Sequence, residues 1–116
     1  MARLLVNVAT GPENPTRAAL GLLVARTAAA EGHDVRVFLA GDGVHLARPE
    51  TAAATHGIGT GAVGEHLGAL RDAGVPIHLS GMSSKARGIE GADVGELAPP
   101  EKLVELAAWA ETALVY

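Results

Sequence analysis

The residues best suited to chemistry lie in one polar stretch that directly follows the apolar run Val75 to Leu79. The stretch reads Ser80-Gly81-Met82-Ser83-Ser84-Lys85-Ala86-Arg87-Gly88. Gly81 lets the backbone turn sharply after Ser80, so a short helix is predicted to begin there. The N–H groups of its first turn, the next two serine hydroxyls and the two cationic side chains would suit a small anion. A plain helix cap flanked by solvated basic residues is the equally weighted alternative.

Two further loops are expected beside this stretch, because the carboxyl ends of parallel strands meet at one edge of a sheet. The loop 10–14 contributes Glu13 and Asn14, and the loop 41–45 contributes Asp42 and His45. The two acids could form a carboxylate pair, although capping and turn formation are commoner roles for acids in such loops. The predicted ligand-binding residues are therefore Ser80, Gly81, Met82, Ser83, Ser84, Lys85, Arg87, Glu13, Asn14, Asp42 and His45.

Ser80 is a poor candidate for a catalytic nucleophile. A serine needs a general base at roughly 2.6 to 3.2 Å from its hydroxyl. His78 shares a strand face with Ser80, but residues two apart on a strand are separated by about 6.5 Å, at about 3.3 Å per residue. A base from another loop, such as His45, or from a neighbouring subunit stays open, so the catalytic residues are not assigned.

The elements that position these loops follow from the apolar runs. Leu4 to Ala9 and Val35 to Ala40 are predicted as buried strands. The helix between them is capped by Asn14 and stopped by Gly32. A strand–helix–strand unit of this kind is typical of a right-handed parallel crossover.

The rest of the chain continues the alternation of strands and helices. Further predicted elements are a short helical piece within 44–55, an open loop around the glycines at 57, 59 and 61, helix 63–73, strand 75–79, a short helix within 81–88, strand 93–96, helix 100–111 and strand 114–116. The predicted fold class is therefore α/β, a three-layer protein with a mostly parallel sheet of about five strands and helices on both faces. A single domain is expected over residues 1–116.

Composition limits the functional classes. With 116 residues, a net charge of −4 and interspersed charges, the chain offers no basic surface for nucleic acid. The apolar run at the start is too short for a signal peptide or a membrane span, so we expect no membrane association and a cytoplasmic location. The absence of cysteine excludes disulfides, thiolate metal sites and thiol catalysis.

Neither a metal site nor a cofactor site is predicted. The five histidines lack the short spacing that places two ligands on one helical face. Gly59-x-Gly61-x-x-Gly64 matches the dinucleotide fingerprint, but no apolar strand precedes it and no acid follows about twenty residues on. We interpret it as a flexible loop that enters a helix.

Four segments carry a resemblance to a known family over almost the whole chain. They are Asn7 through Arg17, Gly41-Asp42-Gly43-Val44, Gly74-Val75-Pro76-Ile77, and the stretch from Ser80 to Gly88. Together they resemble the DsrE/DsrF-like (YchN-like) family. The resemblance implies a sulfur-carrying cysteine at the position of Ser80 and, in some members, a second cysteine at the position of Ser83.

Serine at both positions changes the chemistry that the resemblance implies. A thiol with an ordinary pKa of about 8.5 becomes a thiolate beside cations and a helix terminus, whereas a serine hydroxyl stays protonated and forms no persulfide. Persulfide transfer by this chain is therefore excluded, and an enzyme is not expected.

Three functions are compatible with these residues. The first is a protein that binds a small anion or ligand at the Ser80 loop without turning it over. The second is an interaction subunit of a sulfur-relay-type assembly, because the resemblance implies homo-oligomers, from dimers to hexamers, and a possible sulfur-carrier partner protein. The third is a Ser80-dependent enzyme with a base from elsewhere.

Overall fold

The computed structural model describes residues 1–90 and 93–116, and a parallel sheet lies at its centre. In chain order the elements are β1 (Arg3–Val8), α1 (Pro15–Ala30), β2 (Asp34–Leu39), a 3₁₀ helix (Gly41–Ala47), α2 (Pro49–Ala54), β3 (His56–Gly57), β4 (Gly61–Ala62), α3 (Val63–Asp72), β5 (Ile77–Ser80), α4 (Gly81–Ala86), β6 (Glu96–Ala98), α5 (Pro100–Trp109) and β7 (Thr112–Val115). Five strands form the central sheet in the order β6-β5-β2-β1-β7, and each neighbouring pair is parallel. The predicted α/β class with a five-stranded, mostly parallel sheet is confirmed.

The first face of the sheet is covered by α1 and α3. Alternate strand residues such as Val6, Val37 and Leu79 are fully buried on this face, against Leu22 of α1 and Leu70 of α3. Because side chains alternate across a strand, these positions form one continuous apolar surface.

The second face of the sheet carries a smaller core. Leu5 of β1 and Phe38 of β2 are buried there with Leu106 of α5, and Trp109 of the same helix packs against them. Among the described helices, α5 is the one that contributes to this cluster. The two layers of helices predicted on opposite faces are therefore present, but they differ in extent.

The predicted ends of α1 are confirmed. The side chain of Asn14 accepts a hydrogen bond from the Arg17 N–H at 3.2 Å, and Pro15 occupies the first turn. The helix ends at Ala30, and Gly32 follows with φ of +90°, a backbone conformation that favours glycine.

The glycine-rich segment around residue 59 differs from the predicted open loop. His56–Gly57 and Gly61–Ala62 pair as short antiparallel strands, so the segment is a hairpin. Two hydrogen bonds of 3.1 Å anchor it to α1: the Ile58 N–H donates to Thr16 Oγ1, and Thr60 Oγ1 donates to the Thr16 carbonyl. The local sequence could not indicate an anchor 42 residues away.

Strand β6 lies later in the chain than predicted. The expected strand was 93–96, whereas pairing with β5 begins at Glu96 and ends at Ala98. Gly95 passes against β5 so closely that an added Cβ would overlap with the carbonyl of Ile77. Within the described part of the chain, no helix has the length and apolar character needed to cross a membrane.

Candidate functional site

The carboxyl ends of β1, β2 and β5 bring the three predicted loops together. Gly11 of the first loop packs directly on the backbone of the second, because a Cβ at this position would overlap with the carbonyl oxygen of Asp42. The second loop is joined to the third by a hydrogen bond of 3.0 Å from the Gly41 N–H to Ser83 Oγ. The loops therefore form one packed edge of the sheet.

Ser80 ends β5 and caps α4. Its hydroxyl oxygen accepts a hydrogen bond from the Ser83 N–H at 3.2 Å, which satisfies one free donor at the start of the helix. A hydroxyl group has one donor in addition to its acceptor sites, so the Ser80 hydroxyl keeps a proton that it can donate.

Arg87 ties the third loop to the second. Its Nη2 lies 3.0 Å from Asp42 Oδ1, and its Nη1 donates to the carbonyl of Ser83 at 3.1 Å. The positive charge of Arg87, which was predicted to attract an anion, is therefore balanced by the carboxylate of Asp42. Lys85 is exposed and, within residues 1–90 and 93–116, has no acidic partner within 4.0 Å.

The remaining residues of the stretch face different surroundings. Ser84 is completely buried, and its hydroxyl oxygen has no hydrogen-bond partner among the described residues. A ligand from solvent cannot reach this hydroxyl, which corrects the expectation for Ser84. Met82 is 71% exposed, and Gly81 passes beside the carbonyl of Ala98, whose oxygen would be 3.4 Å from an added Cβ.

The polar residues of the first two loops mainly stabilise the loops. Both carboxylate oxygens of Glu13 accept from the Gly11 N–H, at 2.9 and 3.2 Å, and Asn14 caps α1. Glu13 and Asp42 each have a partner of their own, so the commoner structural role applies to both. His45 lies in the 3₁₀ helix and is partly buried, and its carbonyl accepts from the Arg48 N–H.

No general base is in hydrogen-bond contact with Ser80 among the described residues. His78 is on the same strand, but its ring stacks on Phe38 with ring centroids 6.5 Å apart. Burial lowers the pKa of His78 below its ordinary value of 6.5, and the nearby cation Lys102 lowers it further. The contact that a Ser80-dependent enzyme requires is therefore missing from the described part of the chain.

Two residues that sequence reasoning passed over affect these surroundings. Arg48 donates from Nη2 to the carbonyl of Arg87 at 2.7 Å and so holds the end of the third loop. Asn7, the penultimate residue of β1, has a buried amide oxygen with no partner among the described residues. A polar residue inside an apolar strand was the available signal for Asn7, whereas nothing local indicated the contact of Arg48.

Comparison with protein families gives a match over residues 2–115 to the model of the DsrE/DsrF-like family. The chain belongs to the DsrE/DsrF-like family. No curated protein matches it.

Two solved structures share the fold of this DsrE/DsrF-like chain. The crystal structure of the ychN protein from E. coli has a TM-score of 0.81 and 20% sequence identity, with all of both chains covered. A conserved protein of unknown function from Bacteroides thetaiotaomicron, BT1422, has a TM-score of 0.71 and 14% identity, with 99% of this chain and 95% of that chain covered. At these identities the similarity establishes the fold alone.

Proposed function

We propose that this DsrE/DsrF-like protein is a non-enzymatic assembly protein that associates with a second copy of itself through the second face of its sheet. The observation that carries the proposal is an uncovered apolar area beside α5. Val104 on α5 and Val115 on β7 are each 69% exposed. Val115 pairs with Asn7 in register, and Ala113 pairs with Leu5, so both β7 residues belong to the second face.

The two flanks of α5 differ in chemistry. Lys102 and Glu105 line a cavity together with Glu96 of β6, so this flank of the helix faces β5 and β6. Helical periodicity places Leu103 and Ala107 on the opposite flank, which faces β1 and β7. We call the apolar area on this side the open patch. It is formed by Leu103, Ala107, Ala113 and Val115, and Val104 borders it on the solvent side of α5.

Charge distribution favours a second copy as the occupant of the open patch. Arg3 lies at the carboxyl end of α5, where its Nε donates to the carbonyl of Trp109 at 2.7 Å and its Nη1 lies 3.5 Å from Glu111 Oε1 of the same chain. Glu101 lies in the first turn of the same helix. A two-fold axis that packs two α5 helices antiparallel would bring Arg3 of each copy towards Glu101 of the other. Asn7 would also gain access to an intermolecular donor if its side chain rotated towards the patch.

The hydrogen bonds made by the Ser80 loop are consistent with an assembly role. The loop is joined to its neighbours by the hydrogen bonds of Ser83 and Arg87, and the chain lacks the cysteine that sulfur transfer requires. The family resemblance suggests a sulfur-relay-type assembly as the context, in which a sulfur-carrier protein could be a further partner.

The test of self-association is the molecular mass in solution, measured by size-exclusion chromatography with light scattering. We expect a homo-oligomer, and we expect Val104→Glu to reduce the mass to that of one chain. The matched control is Ile58→Glu, because Ile58 is 89% exposed on the hairpin far from the open patch. A monomeric parent protein, or dissociation by both variants alike, would refute the proposal.

Charge reversal tests the antiparallel arrangement separately. Arg3→Glu should weaken the association by about tenfold or more, because it places like charges opposite Glu101 of the second copy. Adding Glu101→Arg to that variant should restore it. If the double variant is as weak as the single one, the antiparallel arrangement is wrong even where the oligomer exists.

A second candidate function is the binding of a small anion or polar ligand at the Ser80 loop. It is favoured by one observation: Ser80 and Ser83 both use their hydroxyl oxygens as acceptors, so both hydroxyl protons remain available beside the exposed Lys85. The other cation of the loop, Arg87, is engaged by Asp42. This candidate therefore depends on fewer free groups than the sequence suggested.

Restoring the cysteine distinguishes the two functions. We would prepare Ser80→Cys, incubate it with a persulfide donor and look for one added sulfur atom by intact-mass spectrometry, with the parent protein as control. The assembly proposal predicts no adduct on a folded variant, because Arg87 is engaged by Asp42 and is not free to stabilise a thiolate or persulfide at position 80. A stable adduct on the variant alone would favour the binding function.

A further inference from the structure

The cavity lined by Lys102, Glu105 and Glu96 lies on the same face of the sheet as the open patch, but on the other flank of α5. It has a volume of about 330 Å³ and lies between the edge strand β6 and the amino-terminal half of α5. Five ionisable residues line it: His78, Glu96, Glu101, Lys102 and Glu105. The volume lies within the range of small-molecule sites, at the lower end.

His78 is the buried polar group of this cavity. It is 9% exposed, and its ring stacks on Phe38 at an interplanar angle of 24°. Glu96 lies beside it in register on β6, so both side chains are on the cavity side of the sheet. Within residues 1–90 and 93–116 the imidazole makes no hydrogen bond to the protein, and neither ring nitrogen is among the unpartnered side-chain atoms that are closed off from solvent. The ring therefore presents an unused nitrogen to the cavity.

The charges around His78 are of both signs but do not balance. Lys102 pairs with Glu105 at 3.2 Å. Glu96 and Glu101 have no cationic partner within 4.0 Å among the described residues. Arg36 also faces His78, but it is paired with Asp34 and stacks over the ring of Trp109. Around the neutral imidazole this leaves Glu96 as an uncompensated carboxylate, whereas Glu101 lines the cavity without contributing to the electrostatics of His78.

The lining excludes several classes of ligand. An anion would meet two free carboxylates, and an apolar molecule would leave those carboxylates desolvated. The described residues contain no group of three histidine or acidic side chains arranged to hold a metal ion. An ammonium group fits better than a metal ion. Its three N–H groups point in different directions, and its hydrogen bonds are longer than metal–ligand bonds, so it can reach acceptors that are too far apart to bind one metal.

We propose that this cavity binds a primary ammonium group of a small aliphatic amine, which donates to the imidazole of His78 and to the carboxylate of Glu96. The site is separate from the Ser80 loop and from the open patch. It shares Glu101 of its lining with the proposed contact between copies, but its two acceptors, His78 and Glu96, are not part of that contact. The neutral imidazole acts as an acceptor, so its protonation would both remove that acceptor and repel the ammonium group.

The test is a titration of the protein, labelled at its histidines, with 1,4-diaminobutane, followed by the chemical shifts of the His78 ring in NMR spectra at pH 8. We expect a saturable shift with the diamine and none with 1,4-butanediol, which has the same length but no charge. The binding should weaken as the pH falls and His78 becomes protonated.

Two variants make the test specific. Glu96→Gln should weaken binding by about tenfold, whereas Glu50→Gln, an exposed carboxylate outside this cavity, should leave it unchanged. His78→Asn should also weaken it, measured by calorimetry, and its fold is checked by circular dichroism. An absent shift, an equal shift with the diol, or equal binding by the Glu96→Gln variant would each overturn the proposal.

Discussion

The two faces of the sheet are built from alternate residues of the same strands, yet they differ in chemistry. On the first face, β2 and β5 contribute Val35, Val37 and Leu79, which are buried against helices. On the second face the same strands contribute Arg36 and His78 alongside Phe38. The residues that β2 and β5 contribute to the first face are therefore purely apolar, whereas those on the second face include ionisable groups beside a small core.

This difference suggests that the first face mainly stabilises the fold, whereas the second face is better suited to binding. Apolar side chains that are fully buried lower the free energy of the folded state without needing partners. Buried polar groups such as His78 lower that stability unless something hydrogen-bonds to them. Within β2 and β5 the ionisable side chains lie on the face that one helix covers, and this is the face on which we propose a ligand and a second copy to bind.

Matched leucine truncations should give the largest difference between the faces. Leu70→Ala on α3 should lower the free energy of unfolding by about 3–4 kcal/mol, because the site is enclosed and the cavity cannot collapse easily. Leu106→Ala on α5 should cost about 2 kcal/mol, since that helix covers a smaller core. Urea unfolding followed by circular dichroism measures both, and equal losses would contradict the comparison.

Much of the fold could be predicted from the sequence because local signals coincided with the final structure. The apolar runs gave β1 and β2, and Asn14 with Gly32 marked the two ends of α1. The errors occurred where a distant contact determined the conformation. The hairpin around residue 59 depends on Thr16, and the start of β6 depends on the close approach of Gly95 to β5.

The candidate site was predictable in location but not in connectivity. Parallel strands bring their carboxyl ends to one edge, so the three loops were expected together. Which groups stay free was not predictable, because the pairing of Arg87 with Asp42 and the bond from the Gly41 N–H to Ser83 join residues more than forty positions apart. The burial of Ser84 was also not predicted, because the sequence did not show that its position in the α4 turn directs the side chain inwards.

Glycine substitutions test whether the loop edge is packed as tightly as the first face. Gly11→Ala should lower the free energy of unfolding by about 1–3 kcal/mol, because the added Cβ would overlap with the carbonyl of Asp42. Gly68→Ala is the matched control inside α3, where nothing lies within 4 Å of the added Cβ. It should stabilise the protein by about 0.5–1 kcal/mol, and thermal unfolding would reveal the opposite signs.

The ionisable second face should make stability depend on pH. The pKa of His78 is lowered in the folded protein, chiefly by burial, so the unfolded chain binds more protons just below pH 6.5. Stability should therefore fall as the pH drops below 6.5, with a slope of at most about 1.4 kcal/mol per pH unit from this residue.

The variant His78→Gln isolates that contribution, because the other four histidines are present in both proteins. Urea unfolding between pH 7.5 and 5.5 should show a shallower pH dependence for the variant than for the parent protein. Identical slopes would mean that the imidazole titrates alike in the folded and unfolded chains, and the second face would then be less buried than the structure indicates.

The smallest predicted changes in the free energy of unfolding concern two asparagines. Asn14→Ala removes the cap of α1 and should cost about 1 kcal/mol of unfolding free energy. Asn7→Val removes a buried amide oxygen without a partner among the described residues, and it should be neutral or stabilising by up to about 1 kcal/mol. Chemical unfolding at low protein concentration measures both. If Asn7→Val is instead destabilising and the loss grows with protein concentration, Asn7 hydrogen-bonds across the interface with a second copy.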